Sequence, residues 1–373
     1  MKVDGCHFRS IWVEPDGFSV RAVDQRRLPH EFVVADIADC DAAADAIRSM
    51  LVRGAPLIGA TAAYGVALAM RADDSDAALG RAYDRLIAAR PTAINLKWAL
   101  DEMRAALSPL PPSARAAAAF TRAGEIAEQD IAINRSIGQQ GLGLIEAIRA
   151  GKKPTERINV LTHCNAGWLA TVDWGTATAP IYLAHDRGWD VHVWVDETRP
   201  RNQGASLTAW ELSHHGVPHT VIPDNTGGHL MQHGMVDLVI VGTDRVTANG
   251  DVCNKIGTYL KALAAHDNAV PFYVALPSPT IDFSIDDGVA QIPIEQRSAD
   301  EVATMTGRTA DGRIETVRVV SDGSPVANYA FDVTPARLVT GLITERGVLM
   351  PDRGALAGAF PERVRYPVKG ESR

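Results

Sequence analysis

Hydrophobic and polar positions alternate in short runs at the start of the chain and then change to a helical spacing. Runs at 10–14, 18–23 and 31–36 alternate with a period of two between turn residues, which predicts a three-stranded antiparallel meander. From residue 39 onward the spacing is that of amphipathic helices. The helices are predicted over the alanine-rich segments 41–50, 54–72, 76–89, 95–107 and 113–149.

Short apolar runs alternate with helix-like stretches after residue 151. The runs cover 158–162, 190–195, 219–222, 238–241 and 271–275. This alternation predicts parallel strands joined by helical crossovers. We therefore predict an α/β protein with a Rossmann-like, doubly wound parallel sheet in a C-terminal domain (151–373) and a smaller N-terminal domain of antiparallel strands plus helices (1–150). Residues 300–325 are polar and turn-rich, and they interrupt the C-terminal domain before a closing segment at 331–347.

The composition narrows the classes of function. The chain has 373 residues, of which 46% are hydrophobic and 22% charged, as in ordinary globular proteins. No run approaches the ~18 to 20 apolar residues of a bilayer span, and the first ten residues lack an apolar signal core, so we expect a cytoplasmic protein with no membrane partner. The net charge of −8 argues against nucleic acid as a partner. Four cysteines without a CxxC pair fit a reducing compartment and disfavour a zinc ribbon.

Ligands of doubly wound sheets bind beyond the carboxyl ends of the strands, so the residues after each run are candidates for a site. Cys164 follows the first run, within Thr162-His-Cys-Asn-Ala-Gly167, where the strand is predicted to turn into a helix. A helix amino terminus favours the thiolate form of a cysteine. The alternative is that Cys164 is a small buried residue. Of the other cysteines, Cys6 and Cys40 lie in the meander and near a helix start, and Cys253 is predicted at the beginning of a helix.

Asp244 follows the apolar run at 238–241 within a segment rich in small and hydrogen-bonding residues. An aspartate placed directly after a buried strand loses hydration, which favours its protonated form and suits a general acid or base. The alternative is a structural pairing with Arg245. Lys255, close by, can supply the positive charge that a phosphate requires.

Arg53 heads a predicted helix through Gly54-Ala-Pro56. Proline suits the first helical turn, and the free N–H groups there, together with the guanidinium, would bind an anion. The alternative is a tightly packed helix that uses Gly59 and Gly65 for close approach. The segment lacks the GxxxxGK[ST] sequence of a P-loop, so that class is excluded.

Several other classes lack their sequence signatures. The histidines show no matched metal-ligand spacing, so no metal is predicted; they are His214, His215, His219, His229 and His233. No GxSxG is present, which argues against a serine hydrolase, and no strand is followed by GxGxxG, which argues against a nicotinamide cofactor.

Six segments together resemble the methylthioribose-1-phosphate isomerase family, and the resemblance covers roughly residues 8–350. The segments are Arg53–Pro56, Thr162–Gly167, Glu197–Gly204, Asp224–Thr226, Gly242–Asp251 and Asn254–Thr258. That family is related to the regulatory alpha, beta and delta subunits of eukaryotic initiation factor 2B and to archaeal ribose-1,5-bisphosphate isomerases.

The resemblance implies an aldose–ketose isomerase of methionine salvage that converts 5-methylthioribose 1-phosphate to 5-methylthioribulose 1-phosphate without a cofactor, as a homodimer. It implies that Cys164 and Asp244 are the catalytic pair. The substrate-binding residues that it implies are Arg53, Gly54, Ala55, Arg90, Gln203, Asn254 and Lys255. Thr243 stands where the family usually has alanine, and Trp168 and Trp174 are bulkier than the family pattern.

The chemistry explains these residue types. The anomeric carbon is locked as a phosphate ester, so ring opening needs an acid at the ring oxygen, and a hydrogen must then move from C2 to C1. Asp244 can supply the proton. Cys164 as a thiolate can take the C2 proton, or it can orient or shield the centre while a hydride shifts directly; the residues leave these versions open.

Two alternatives to this substrate and activity remain at the level of the sequence. One is a related isomerase of ribose 1,5-bisphosphate or 5-deoxyribose 1-phosphate, and the other is a non-catalytic regulatory module like the initiation-factor subunits. The joint presence of Cys164 and Asp244 favours an isomerase. In either case we expect the site in the cleft between the two domains, where Arg53 and Lys255 should meet.

Overall fold

Two small antiparallel sheets begin the chain in the computed structural model. The model describes residues 1–364; residues 365–373, which belong to the predicted C-terminal domain, lie outside the described residues. The sheets are the hairpin of β1 (Lys2–Val3) and β2 (Cys6–His7) and the meander of β3 (Ile11–Val13), β4 (Val20–Val23) and β5 (Val34–Ile37). The meander is antiparallel throughout, which confirms the prediction. The hairpin was not predicted, because strands of two residues are too short to show alternation.

Five helices follow the meander. They are α1 (Cys40–Arg48), α2 (Ala55–Ala72), α3 (Asp76–Ile87), α4 (Ile94–Leu107) and α5 (Pro112–Ala150). Side-chain oxygens begin two of them: Asp39 accepts from the backbone N–H of Ala42 at 2.8 Å, and Ser75 accepts from that of Ala78 at 3.2 Å, as N-caps do. The structure confirms all five helices, with ends within two residues of the prediction.

α2 is the central helix of this part of the chain. It packs against α1, α4 and α5, and a Cβ atom at Gly65 would lie 2.8 Å from the Cβ of Ala43, so glycine is needed there for close approach. Within residues 1–364, α2 alone has the length and apolar composition of a membrane span, but 78% of it is buried inside the protein. It is therefore the core helix of this part of the fold.

A seven-stranded sheet organises the rest of the chain. Its strands are β6 (Ile158–Thr162), β7 (Val191–Asp196), β8 (His219–Ile222), β9 (Leu238–Val241), β12 (Phe272–Ala275), β17 (Gly341–Thr344) and β18 (Gly347–Leu349). The order across the sheet is β18-β17-β12-β9-β6-β7-β8. All neighbours are parallel except the edge pair β17 and β18.

Helices connect these parallel strands. They include α6 (Ala179–Asp186), α7 (Ala209–His215), α8 (Thr226–Gln232) and α9 (Thr258–Asp267). The order of the six parallel strands is that of a doubly wound Rossmann-type sheet, whose topological switch point lies between β6 and β9. This confirms the predicted fold class.

A second sheet of four short strands lies along the chain between β9 and β17. It comprises β10 (Arg245–Thr247), β11 (Val252–Lys255), β13 (Ile281–Asp282) and β16 (Phe331–Thr334), in the order β13-β10-β11-β16. The placement of Cys253 at the beginning of a helix was wrong: it lies in β11, opposite Arg245 and Val333. The helix begins later because Gly257, at φ 103°, separates β11 from α9.

The remaining elements are small. They are α10 (Gly288–Gln291), α11 (Asp300–Ala303), the hairpin of β14 (Thr304–Arg308) and β15 (Ile314–Arg318), and α12 (Arg353–Ala359). The hairpin accounts for the polar interruption at 300–325. α5 ends at Ala150 and β6 begins at Ile158; the division of the chain into domains at residue 150 stays a prediction.

Candidate active site

The candidate residues gather at the switch point of the large sheet. β6 and β9 are neighbours there, with Leu161 opposite Val239, and the chain leaves the two strands toward different crossovers. Cys164 lies two residues after β6, and Asp244 lies three residues after β9. Both line one narrow pocket, together with Arg53, Gly54, Ala55 and Asn254.

Cys164 occupies a tightly held turn. It is 8% exposed and has a positive φ of 65°. Its backbone N–H donates to Thr198 Oγ1 at 2.8 Å, and its carbonyl oxygen accepts from the hydroxyl of Thr208 at 2.7 Å. These two contacts fix the backbone that carries the thiol.

The predicted helix amino terminus next to Cys164 was wrong. A single 3-10 turn at Trp168–Ala170 follows, and α6 begins only at Ala179, so the segment that follows Cys164 provides no helix amino terminus at the sulfur. Burial raises the pKa of the Cys164 thiol, while the charges of Arg53 and Lys255 act in the opposite direction. Because burial dominates, the neutral thiol is favoured in this site.

Arg53 enters the pocket from the segment before α2. Glycine is needed at position 54, between Arg53 and α2, because its φ is 98° and a Cβ atom there would lie 2.4 Å from the carbonyl oxygen of Ala170. Arg53 is 9% exposed and donates through Nη1 to Asn165 Oδ1 at 2.5 Å and through Nη2 to the Asn165 carbonyl at 2.8 Å. Burial lowers its pKa, against the charges of Cys164 and Asp244. Within residues 1–364 no carboxylate forms an ion pair with it.

Asp244 lies half-buried in the turn between β9 and β10. Its backbone N–H donates to the Cys253 carbonyl at 3.0 Å, and its carboxylate has no hydrogen-bond or ion-pair partner in the described part of the chain. The alternative partner, Arg245, pairs with Asp282 at 3.4 Å instead. The hydroxyl of Thr243 bonds the Cys253 carbonyl at 2.7 Å, so this family departure tightens the turn.

Lys255 and Asn254 come from β11. Lys255 is 7% exposed; its Nζ donates to the Ala330 carbonyl at 2.8 Å and lies 4.8 Å from the ring centroid of Phe331. Burial lowers its pKa, and the charges of Cys164 and Asp244 raise it. Arg53 and Lys255 therefore meet around the same thiol from distant parts of the chain.

Arg90 and Gln203 line cavities that adjoin the pocket. Arg90 lines an adjoining cleft with Ala55 and Asp244, and it pairs with Glu295 at 3.3 Å. Gln203 is buried in the wall of a cavity of about 510 Å³ that shares Arg53 with the pocket. The structure thus brings all nine predicted residues to one region, while their roles stay predictions.

A group with metal-binding geometry lies behind Cys164. One ligand atom each from His163, Asp196 and Asp224 lies within 4.8 Å of the others. The Nζ of Lys261 is 3.1 Å from Asp196 Oδ2 and also donates to the Asp224 carbonyl. Asp196 Oδ2 therefore already has two close partners, the Lys261 ammonium and His163 Nδ1 at 2.8 Å, and we assign no cation to this group.

Sequence reasoning missed two buried polar residues next to the pocket. Asn165 lies within the Thr162–Gly167 motif, and the sequence gives it no role, although it is the direct partner of Arg53. Glu211 lies outside every motif; it is 1% exposed and bonds Asn165. Its only signal was its place between two apolar residues, Trp210 and Leu212.

Comparison with known proteins gives consistent results. The model of the initiation factor 2 subunit family matches residues 51–351. A methylthioribose-1-phosphate isomerase from Rhodospirillum centenum is 65% identical over 364 residues, which cover 98% of this chain and 97% of the relative.

Two solved structures resemble the whole fold. The 5-methylthioribose 1-phosphate isomerase from Pyrococcus horikoshii OT3 matches with a TM-score of 0.82 and 38% identity, covering 96% of this chain and 97% of the other. The translation initiation factor eIF-2B subunit delta from A. fulgidus matches with a TM-score of 0.78 and 37% identity, covering 95% and 100%.

Proposed function

Because this chain belongs to the methylthioribose-1-phosphate isomerases of the initiation factor 2 subunit family, we propose that it interconverts 5-methylthioribose 1-phosphate and 5-methylthioribulose 1-phosphate at the pocket of Cys164 and Asp244. It is an aldose–ketose isomerase of methionine salvage. The observation that carries the assignment to this pocket is the pair of buried cations, Arg53 and Lys255, beside a thiol and an unpartnered carboxylate.

The two cations fit a phosphate ester. Buried charges are normally paired. Among residues 1–364, each of these two cations has only neutral oxygens as hydrogen-bond acceptors, from Asn165 and Ala330. A phosphate dianion supplies the missing negative charge and accepts several charge-assisted hydrogen bonds. We therefore assign Arg53 and Lys255 to the phosphate, with Gly54, Ala55 and Asn254 lining the same pocket.

Asp244 is suited to the proton transfers of ring opening. As a carboxylic acid it gives its proton to the ring oxygen as the C1–O bond breaks, and the positive charge that develops at C1 is shared with the ester oxygen. The carboxylate then takes the proton of the 2-hydroxyl as C2 becomes a carbonyl. Its carboxyl group, unpartnered within residues 1–364, and its half-buried position allow both transfers.

The hydrogen on C2 moves to C1, and the protonation state of Cys164 decides between transfer as a proton and transfer as a hydride. Since burial raises the pKa of this thiol, a thiolate base is disfavoured. We propose that Cys164 stays a thiol that closes the pocket against water, and that the hydrogen shifts as a hydride from C2 to the electron-poor C1. Electrons and protons balance without an external acceptor.

The assay of the purified chain with synthetic substrate in D2O tests activity and mechanism together. We expect ketose formation with no deuterium at C1, because a hydride shift keeps the original hydrogen. Deuterium at C1 would show proton transfer through a base instead. Asp267→Asn, at an exposed position of α9, is the matched control for Asp244→Asn.

The same assay distinguishes the alternatives. Turnover of ribose 1,5-bisphosphate or 5-deoxyribose 1-phosphate in preference to the methylthio sugar would reassign the substrate. No turnover of any sugar phosphate, with binding to an initiation factor, would favour the regulatory module. We also propose a homodimer, which the resemblance implies, in the cytoplasm, which the composition indicates, with the domain boundary near residue 150 that the sequence pattern predicts. Sedimentation tests the dimer, and limited proteolysis tests the boundary.

A further inference from the structure

Glu211 is a buried carboxylate of α7 for which the proposed reaction has no use. It is 1% exposed and does not line the pocket. Its Oε1 accepts from Asn165 Nδ2 at 3.0 Å and Leu169 N at 2.8 Å. Its Oε2 accepts from Trp168 N at 3.1 Å and the hydroxyl of Tyr182 at 2.9 Å. Four donors thus converge on a single ionised group.

Asn165 connects this carboxylate to Arg53. Its amide nitrogen donates to Glu211, while its side-chain and backbone oxygens accept from the guanidinium of Arg53. The bond to Glu211 settles which way the amide faces, because only a carboxylate-bound NH2 group leaves Oδ1 toward Arg53. A carboxylate in direct contact would neutralise Arg53, whereas an intervening amide orients it and leaves its charge for a ligand.

We propose that Glu211 is a positioning residue, which holds Arg53 through Asn165 in the orientation that binds the phosphate of the substrate. The inference rests on the proposed function, since it takes a phosphosugar as the ligand. It assigns to Glu211 an effect on substrate binding and none on the reacting atoms.

The protonation state of Glu211 provides a handle on this role. Burial raises its pKa to about 6, against the hydrogen bonds of Asn165, Leu169 and Tyr182 and the charge of Arg53. When Glu211 is protonated, one acceptor position of its carboxylate becomes an O–H donor. One of the four groups that donate to Glu211 then loses its acceptor. We therefore expect the hold on Arg53 to weaken as pH falls through about 6.

Other charged and titratable groups surround Glu211. They are Arg53 before α2, Tyr182 on α6, Asp173 with the amino group of Met1, and His215, which stacks on Tyr182. Asp173 and the Met1 amino group pair at 2.6 Å and offset each other. Burial lowers the pKa of His215, which disfavours its charged form.

Tyr182→Phe tests the proposal away from the substrate. It removes a hydrogen bond that lowers the pKa of Glu211, so the loss of binding should move to higher pH. We expect the ratio of its KM to that of the wild type to rise from about 1 at pH 8.5 to at least about threefold near pH 6. The value of kcat should stay within about twofold, because a phosphate contact is uniform binding.

Comparing the two enzymes at each pH cancels the titration of the substrate phosphate, which also falls near 6. Tyr64→Phe, at another buried tyrosine, is the matched control and should follow the wild type. Glu211→Gln removes the titration, so its KM should be raised at neutral pH and approach that of the wild type as pH falls.

Each outcome decides the role of Glu211. The role would be overturned if KM depended on pH identically in the wild type, Tyr182→Phe and Tyr64→Phe. It would also be overturned if kcat fell at every pH at which KM rose. If Glu211→Gln does not fold, Tyr182→Phe decides alone. If the wild type turns over no sugar phosphate, the proposed function fails; calorimetry with inorganic phosphate across the same pH range then tests whether Glu211 controls anion binding.

Discussion

The two halves of the pocket are held in opposite ways. In the half after β6, the backbone of Cys164 is bonded on both sides by Thr198 and Thr208, and the side chain is buried. In the half after β9, the backbone N–H of Asp244 bonds the Cys253 carbonyl, and its half-buried carboxylate has no partner among residues 1–364.

This difference separates two tasks that the sequence presented as one catalytic pair. A fixed, desolvated thiol cannot exchange protons readily, but it keeps water from a reacting carbon. A free carboxyl group at the edge of the pocket can give and retake a proton in one turnover. We therefore attribute the acid–base chemistry to the half of the pocket with Asp244, and the exclusion of water to the half with Cys164.

The strongest test of the comparison is Asp244→Asn. Its amide cannot give a proton to the ring oxygen, so we expect kcat to fall at least ~10²-fold, the usual scale for a positioned acid or base. Because the carboxylate bonds no other side chain in residues 1–364, the melting temperature should change little. A variant that keeps more than a tenth of the wild-type kcat would move the acid–base role elsewhere.

Lys255→Met should have the next largest effect, and on a different parameter. The change keeps the long apolar stem against Phe331 and removes only the charge. Losing a hydrogen bond to a charged group costs about 1.5–3 kcal/mol, so KM should rise about 10- to 100-fold while kcat changes far less. Lys97→Met, at an exposed position of α4, controls for loss of charge.

An equal fall of kcat in Lys255→Met and Asp244→Asn would contradict the division of roles within that half of the pocket. It would mean that Lys255 acts on the transition state instead of anchoring the phosphate in ground and transition states alike. Arg53 would then be left as the phosphate anchor.

The sequence predicted the Cys164 and Arg53 motifs and the β6 and β9 strand ends because each depends on local signals. Apolar runs mark the parallel strands, and ligands of such sheets bind at their carboxyl ends. The prediction that Arg53 and Lys255 lie close together depended on the resemblance to a family, because no spacing in the chain indicates this proximity.

What the sequence could not predict depends on contacts between distant segments. Cys253 was placed in a helix because three or four residues of strand are too few to reveal alternation, and only pairing with β10 and β16 defines β11. The helix predicted after Cys164 failed because the chain there bonds to Glu211 instead of to itself. The raised pKa of the Cys164 thiol could not be predicted either, because it results from burial by residues that are distant in the sequence.

The pH dependence of alkylation sharpens the contrast between thiol and acid. Cys164 reacts as a thiolate, and its pKa is raised, so its reaction with iodoacetamide should accelerate about tenfold per unit from pH 7 upward. If the thiol form is the working one, kcat should not rise over the same range. The measurement needs a variant without the other cysteines, which are Cys6, Cys40 and Cys253.

A kcat that rises in step with the alkylation rate would contradict this and make the thiolate the base. Substrate should protect Cys164 from alkylation, since Arg53 and Cys164 line the same pocket. Full activity after Cys164 is shown by mass spectrometry to be alkylated would remove it from the site altogether.

Thr243→Ala should have the smallest effect, and it addresses how the acid half is held. The hydroxyl bonds the carbonyl oxygens of Cys253 at 2.7 Å and Arg245 at 2.9 Å, and the same Cys253 oxygen accepts the N–H of Asp244. Losing about 1 kcal/mol of hydrogen bonding should loosen the turn and lower kcat about two- to fivefold. Since the Arg53 side is untouched, KM should stay the same. Thr121→Ala, at an exposed position of α5, is the control. A rise in KM instead would show that Thr243 steadies the strand of Lys255, and hence the phosphate anchor, more than the acid.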